Sequence, residues 1–219
     1  MKNRILKLPA VYILLFTICM ACNESCDEMS EDLDKIIFKD DFEQGNLDAW
    51  QIGGRQLGRN SAEVISRNGS NQAHISHESF TEITLERVFG YSQNLLFEFD
   101  METAVHSEAS STSDFYSLAG VSFHFLNNTQ TEELGWVEYT RATSSFPKTT
   151  YKNDETKIVN EISSEGPVNY QISMNQLLEQ VQLEYPVDSI RLKFRVYGSG
   201  WPFNLNADLW VDNVVVTEK

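Results

Sequence analysis

Three separated stretches of this 219-residue chain alternate apolar and polar residues with a period of two. Leu95, Phe97, Phe99 and Met101 share one side of an extended segment, and Leu96, Glu98, Asp100 and Glu102 share the other. Val121, Phe123 and Phe125 alternate with Ser122 and His124, and Ile190, Leu192, Phe194 and Val196 alternate with Arg191, Lys193, Arg195 and Tyr197. Side chains along a strand point to opposite faces in turn, so these are strands with one face in a core and one toward water. Further strands are expected near Ile36–Lys39, Trp50–Ile52, Ala62–Ser66, Ala73–Ser76, Glu82–Phe89, Gly135–Arg141, Asn169–Met174 and Leu209–Val216. The one helix candidate is short, with Asn175 as the cap of Gln176–Val181. Turn residues punctuate the rest at Asn68-Gly69-Ser70, Asn127-Asn128, Gly166-Pro167, Tyr185-Pro186 and Gly198-Ser199-Gly200, with long polar loops at His106–Asp114 and Thr143–Asn153. The pattern predicts an all-β fold, an antiparallel β-sandwich with one short helix.

The first 21 residues stand apart. Lys2, Arg4 and Lys7 precede an uncharged apolar stretch, Leu8 to Ala21, that is short for a bilayer span. Cys22 follows directly, and the order resembles a lipoprotein signal with its lipobox, although Cys19 stands where leucine is usual. Residues 1–21 are then a signal peptide, and Cys22 is the lipidated first residue of a membrane-anchored chain. Residues 22–36 form an acidic tether with too few apolar side chains to bury a core. An acidic run after the lipid cysteine is similar to surface-export signals of Bacteroidetes lipoproteins, which places the protein in the cell envelope, on the outer membrane. Without the three leader bases, 14 bases face 32 acids, a net charge of −18. That balance argues against nucleic acid, whose phosphates need lysine and arginine. All three cysteines precede residue 27, so the expected domain, residues 37–218, holds no disulfide and no cysteine metal site.

The two ends of that domain look matched. Asp41-Phe42-Glu43, Gly45 and Trp50 open it, and Leu209-Trp210-Val211-Asp212-Asn213-Val214 closes it. Together with the Ser189–Phe194 strand, these residues resemble the jelly roll of carbohydrate-binding modules, also called the galactose-binding-domain-like fold. The resemblance implies a calcium where first and last strands meet, carried by Glu43 and Asp212, with Asp41 as a third ligand. Calcium takes six to eight oxygens at flexible geometry, which a turn and a neighbouring strand supply. It also implies non-catalytic binding of a polysaccharide or other glycan. Aromatic faces stack on sugars and polar groups read hydroxyls. Trp201, in a glycine-framed loop, with Tyr197 and Arg195 on the strand before it, are the expected ligand residues. Trp136 and Tyr139 face opposite sides of one strand, and Trp50 and Trp210 are expected to pack between strands.

Two alternatives carry different signatures. A structural or accessory envelope lipoprotein would bind a protein partner through an exposed apolar patch. The opening also looks like that of laminarinase-type glycosidases, whose paired carboxylates would here be Glu98, Asp100 and Glu102. They share one strand face, but the third falls one residue short of that family's spacing. Four histidines form no metal-binding set, since His74 and His77 fall on opposite faces of a strand.

Overall fold

The computed structural model describes residues 34–54, 56, 60–78, 81–107, 116–128, 133–143, 154–164, 166–198 and 205–219. Trp201 and Cys22, together with the expected leader and most of the expected tether, lie outside the described residues. In chain order the elements are β1 (Lys35–Asp40), β2 (Gln51–Gly54), β3 (Ser61–Arg67), β4 (Ser70–Glu78), β5 (Thr81–Gly90), β6 (Leu95–Ser107), β7 (Ser117–Leu126), β8 (Glu133–Ala142), β9 (Lys157–Glu161), β10 (Val168–Ser173), α1 (Met174–Leu178), β11 (Ser189–Gly198) and β12 (Leu205–Glu218). The first sheet runs β10-β6-β12-β4-β3, with β1 also beside β12, and the second runs β2-β5-β11-β7-β8-β9. The expected sandwich is present, with one departure from antiparallel order: β9 pairs with β8 in parallel.

Burial follows the period-two pattern. Leu95, Phe97, Phe99 and Met101 of β6 are buried, as are Val121, Phe123 and Phe125 of β7 and Ile190, Leu192, Phe194 and Val196 of β11. The sheets meet through rings. Phe97 touches Phe123 edge-on at 5.2 Å between centroids, and Phe99 touches Phe194 in the same way at 5.2 Å. Each fully buried ring of this kind contributes about 1.5–3 kcal/mol.

The matched ends do pair. Lys35 to Asp40 run antiparallel to Glu218 to Val214. β4 takes the same side of β12 from Asn206 to Val211. The change of partner falls at a bulge between Asp212 and Val215, where Asn213 has a left-handed φ of 52°. β1 starts within the last residues of the expected tether, where Lys35 and Ile36 pair with Glu218 and Thr217. The helix cap is Ser173 rather than Asn175. Its hydroxyl accepts the Gln176 N–H at 3.2 Å, and Gln176 Oε1 accepts the Ser173 N–H at 2.8 Å, a complete capping box. Trp50 is a turn residue, with β2 starting one position later, and β6 extends to Ser107, into the segment expected to be loop.

One carboxylate sets the opening turn. Asp40 Oδ1 accepts the Phe42 N–H at 2.9 Å, and Oδ2 accepts the Trp50 indole N–H at 2.8 Å. Phe42 is held at a φ of 56°, unusual for a bulky side chain, while its ring is buried and stacked on Trp50 at 6.2 Å. Trp50 meets Phe194 at 5.7 Å, which ties the turn to the core. Asp40→Ala leaves the buried indole N–H without an acceptor and frees the left-handed residue. It is expected to lower stability by about 2 kcal/mol in urea unfolding; an unchanged midpoint would remove Asp40 from this role.

Candidate functional site

Among the described residues, the outer face of the second sheet gathers most of the ion pairs. β11 places Arg191, Lys193, Arg195 and Tyr197 there, at alternate residues. Register sets their neighbours. Arg191 stands level with Val88 and His124, and His124 with Trp136. Lys193 stands level with Glu86 and Ser122, and Ser122 with Glu138. Arg195 stands level with Thr84 and Gly120, and Gly120 with Thr140. Tyr197 stands level with Glu82 and Leu118.

The bases do not form a solvated stripe. Arg195 reaches over β7 to Glu138 on β8, donating from Nε to Oε1 at 2.9 Å and from Nη2 to both oxygens at 2.7 Å. The residue it passes is Gly120, where a Cβ would run into Tyr139 O and Thr140. A second amino group of Arg195 donates to Glu82 at 3.2 Å. Lys193 lies 3.2 Å from Glu82 and 3.8 Å from Glu86, and Arg191 lies 3.6 Å from Glu86. The Glu138 side chain is 2% exposed and that of Arg195 14%, so this pair is a desolvated one.

Electrostatics follow from these contacts. Burial works to raise the Glu82 carboxyl, but the charges and hydrogen bonds of Lys193 and Arg195 together hold it below the ordinary glutamate range. Glu133 is likewise held low: burial raises it, and the His124 hydrogen bond with the charges of His124, Arg191 and Lys193 outweighs that. A depressed carboxylate adds stability above its unfolded value, and that stability is lost as pH falls through the lowered folded value.

Beside the ion pairs, Ser122 Oγ lies 2.8 Å from His124 Nε2, and His124 Nδ1 lies 2.6 Å from Glu133 Oε2. An ionised carboxylate only accepts, so with neutral His124 the proton sits on Nδ1 and Ser122 donates to Nε2. The order is that of a nucleophile, a base and an orienting acid. Ser122 is nevertheless 1% exposed, with the Lys193 carbonyl at 3.4 Å as a second acceptor competing for its one hydroxyl proton, so it presents no open face to a substrate. Aromatic rings flank the network: the His124 ring tilts against Trp136 at 6.4 Å, and Tyr197 packs on Tyr116 at 5.7 Å. Tyr139, as expected, faces the other way, edge-on to Phe123.

The expected carboxylate row lies on the other sheet. Glu98, Asp100 and Glu102 share the outer face of β6, and the bases of β11 do not face them. Arg67 holds Glu102 in a two-pronged pair at 2.6 and 2.8 Å, while Asn169 and Asn213 donate to Asp100 at 2.9 and 2.8 Å. The cavity beside them, lined by Gln72, Trp210 and Asp212 among others, is about 20 Å3, room for roughly one water. Trp210 lies on this outer face, between the Arg67 guanidinium at 4.3 Å and the His74 ring at 5.1 Å, and His74 bonds to Asp208 at 2.8 Å. His77, by contrast, is buried, on the opposite face from His74.

The three expected calcium ligands meet different partners. Glu43 Oε1 accepts the Asn71 N–H at 3.0 Å. Asp212 Oδ2 accepts the Ser70 hydroxyl at 3.1 Å, and Oδ1 accepts the Asn213 N–H at 2.8 Å. Asp41 lies 3.4 Å from Lys39 and accepts the Glu43 N–H at 3.4 Å. Burial pushes the Asp212 carboxyl above the ordinary aspartate range, and Asp100 adds to the rise against hydrogen bonds from Asn213, Ser70 and Gln72. Among the described residues no three His, Cys, Asp or Glu side chains are grouped to hold a metal ion.

No protein-family model matches the chain, and no curated protein matches it. Solved structures similar to it include several carbohydrate-binding modules. The family 11 module from Clostridium thermocellum, in complex with a β-1,3-1,4-mixed-linked tetrasaccharide, is 13% identical with a TM-score of 0.44, covering 84% of this chain and 94% of that one. The CBM22 tandem domain of Paenibacillus barcinonensis Xyn10C is 16% identical with a TM-score of 0.43, over 84% of this chain and 50% of that one. A module specific for non-crystalline cellulose, CBM28, is 13% identical with a TM-score of 0.42, over 79% and 90%. These are loose likenesses.

Glu138→Leu strands the half-buried Arg195 guanidinium and is expected to lower stability by about 3 kcal/mol. Pairing it with Arg195→Met should recover at least half of that loss in the same chemical-unfolding series. A double variant no more stable than the single one would show that the pair is not the source of the loss.

Proposed function

We propose that this protein binds glycans without catalysis, on the outer face of its second sheet. The observation that carries the proposal is the composition of that face: rigid, paired Arg, Lys and Glu side chains bordered by the rings of Trp136 and Tyr197. Sugars need donors and acceptors held at fixed positions for their hydroxyls and an aromatic surface for their C–H faces. Side chains already locked by ion pairs lose little further freedom on binding. Trp201, which follows β11 after Gly198-Ser199-Gly200 in the sequence, is proposed on sequence position alone as a third aromatic ligand residue, together with Tyr197 and Arg195.

The domain is proposed to act from a lipid anchor on Cys22 in the cell envelope, at the outer membrane. The support is the leader's order of bases, apolar stretch and cysteine. A labelled fatty acid should enter the full-length protein in a bacterial host and be absent from Cys22→Ala; label in both would end the anchor assignment.

A calcium at the seam of first and last strands is a subsidiary proposal. The support is the jelly-roll resemblance, together with the attachment of Glu43 and Asp212 to adjacent residues, Asn71 and Ser70; backbone carbonyls would have to complete the shell. Chelation should then lower the melting temperature, and Asp212→Ala should abolish that response. A melting curve indifferent to chelator and to added calcium rejects it.

For glycan binding, the soluble domain should be titrated calorimetrically with β-glucans, xylans and galactans. At least one should bind, with affinity falling about tenfold or more in Tyr197→Ala and in Trp201→Ala, the loss of one stacking contact with its buried area. No heat and no retention on any of these polymers would reject the function.

A further inference from the structure

Arg191, Lys193 and Arg195 recur at every second residue of β11. Alone, such a row would suit a carboxylated or sulfated polymer, because charge-assisted hydrogen bonds to an anion are the strong ones. On this face the anions are built in. Glu138 takes three bonds from Arg195, Glu82 lies 3.2 Å from both Arg195 and Lys193, and Glu86 serves Lys193 and Arg191. Glu133 completes the set through His124, and β9 adds Lys157 and Glu161, one charge of each sign, level with Trp136 and Thr140. Four carboxylates, Glu82, Glu86, Glu133 and Glu138, thus stand among the three bases Arg191, Lys193 and Arg195.

We infer that the polymer taken by this face is an uncharged glycan, and that polyanionic glycans are excluded; this rests on the glycan-binding proposal above. An acidic polymer would have to displace Glu82 from Arg195 Nη1, or displace Glu138, whose side chain, 2% exposed, would stay behind as a buried unpaired charge. Lys193 would have to leave two carboxylates at once. The chain's net charge of −15 adds a repulsion that salt screens. Salt removes the repulsion without freeing the bases, so the exclusion holds at high ionic strength as well. A neutral hydroxyl meets no such conflict. It carries one donor and two acceptor lone pairs, and a surface of alternating guanidinium, ammonium and carboxylate groups offers both complements while each ion pair stays closed.

The test is affinity electrophoresis of the soluble domain through gels containing neutral polymers (hydroxyethylcellulose, mixed-linkage β-glucan, xylan, galactan) or charged ones (polygalacturonate, dextran sulfate). Runs at about 0.05 and 0.5 M NaCl separate direct contact from long-range repulsion. Retention by a neutral polymer, changed less than about twofold by salt, with none on either polyanion, is the expected result. Retention on a polyanion that salt abolishes overturns the inference while leaving glycan binding intact. Retention on nothing rejects glycan binding itself. The variant Glu82→Gln with Glu86→Gln removes two of the built-in anions and should gain salt-sensitive retention on polygalacturonate. Should that variant fold, by circular dichroism, and gain none, paired charge is not what excludes the polyanion; should it not fold, the wild-type panel decides alone.

Discussion

Residues 34 to 219 contain no cysteine, so the two sheets are held only by what lies between them. Aromatic rings bridge that space. Phe97 and Phe99 of β6 meet Phe123 of β7 and Phe194 of β11 edge-on, and Phe194 carries the contact on to Trp50 and the opening turn. Such ring pairs add orientation to burial, since a quadrupole prefers edge against face. Everything on the outer surfaces inherits its position from this layer: β11 can present its bases in register only because the alternate residues, Ile190, Leu192, Phe194 and Val196, are fixed inside.

The paired face is the product of cross-strand arithmetic. Residues level on adjacent strands lie about 5 Å apart, near enough for direct pairs such as Lys193 and Glu86. Arg195 and Glu138 are two strands apart, and their bond exists because Gly120 leaves the intervening strand bare. The result is a surface rich in ions yet nearly free of net charge, rigid where an isolated lysine or arginine would wander.

Much of the fold was legible from alternation alone. The core residues of β6, β7 and β11 and the opposite faces of His74 and His77 follow from a period of two, while the meeting of the two ends came from the jelly-roll resemblance. What alternation cannot supply is register. It identified Arg191, Lys193 and Arg195 as a stripe but not Glu82, Glu86 and Glu138 as their partners, because the partners are fixed by strand order, which no local pattern encodes. Leu134, at the register shift between β7 and β8, and the parallel entry of β9 were hidden for the same reason. The cap at Ser173 could have been read: serine followed three residues later by glutamine is a capping-box spacing. Asp40 carried no such signal. Its role depends on Trp50 folding back ten residues later.

The seam between β1 and β12 also decides how the domain responds to force. Lys35 faces Glu218, so a force that draws the chain before Lys35 away from the Glu218 end opens the pair from that end, one rung at a time, rather than shearing all rungs together. Unzipping of this kind yields at low load. It would run along a six-residue strand and then meet Asp40, whose carboxylate holds both Phe42 and the indole of Trp50. Strain first reaches the core at Phe38, whose ring meets Trp50 at 5.5 Å and Phe89 at 5.8 Å, and Asp40 is the second hold.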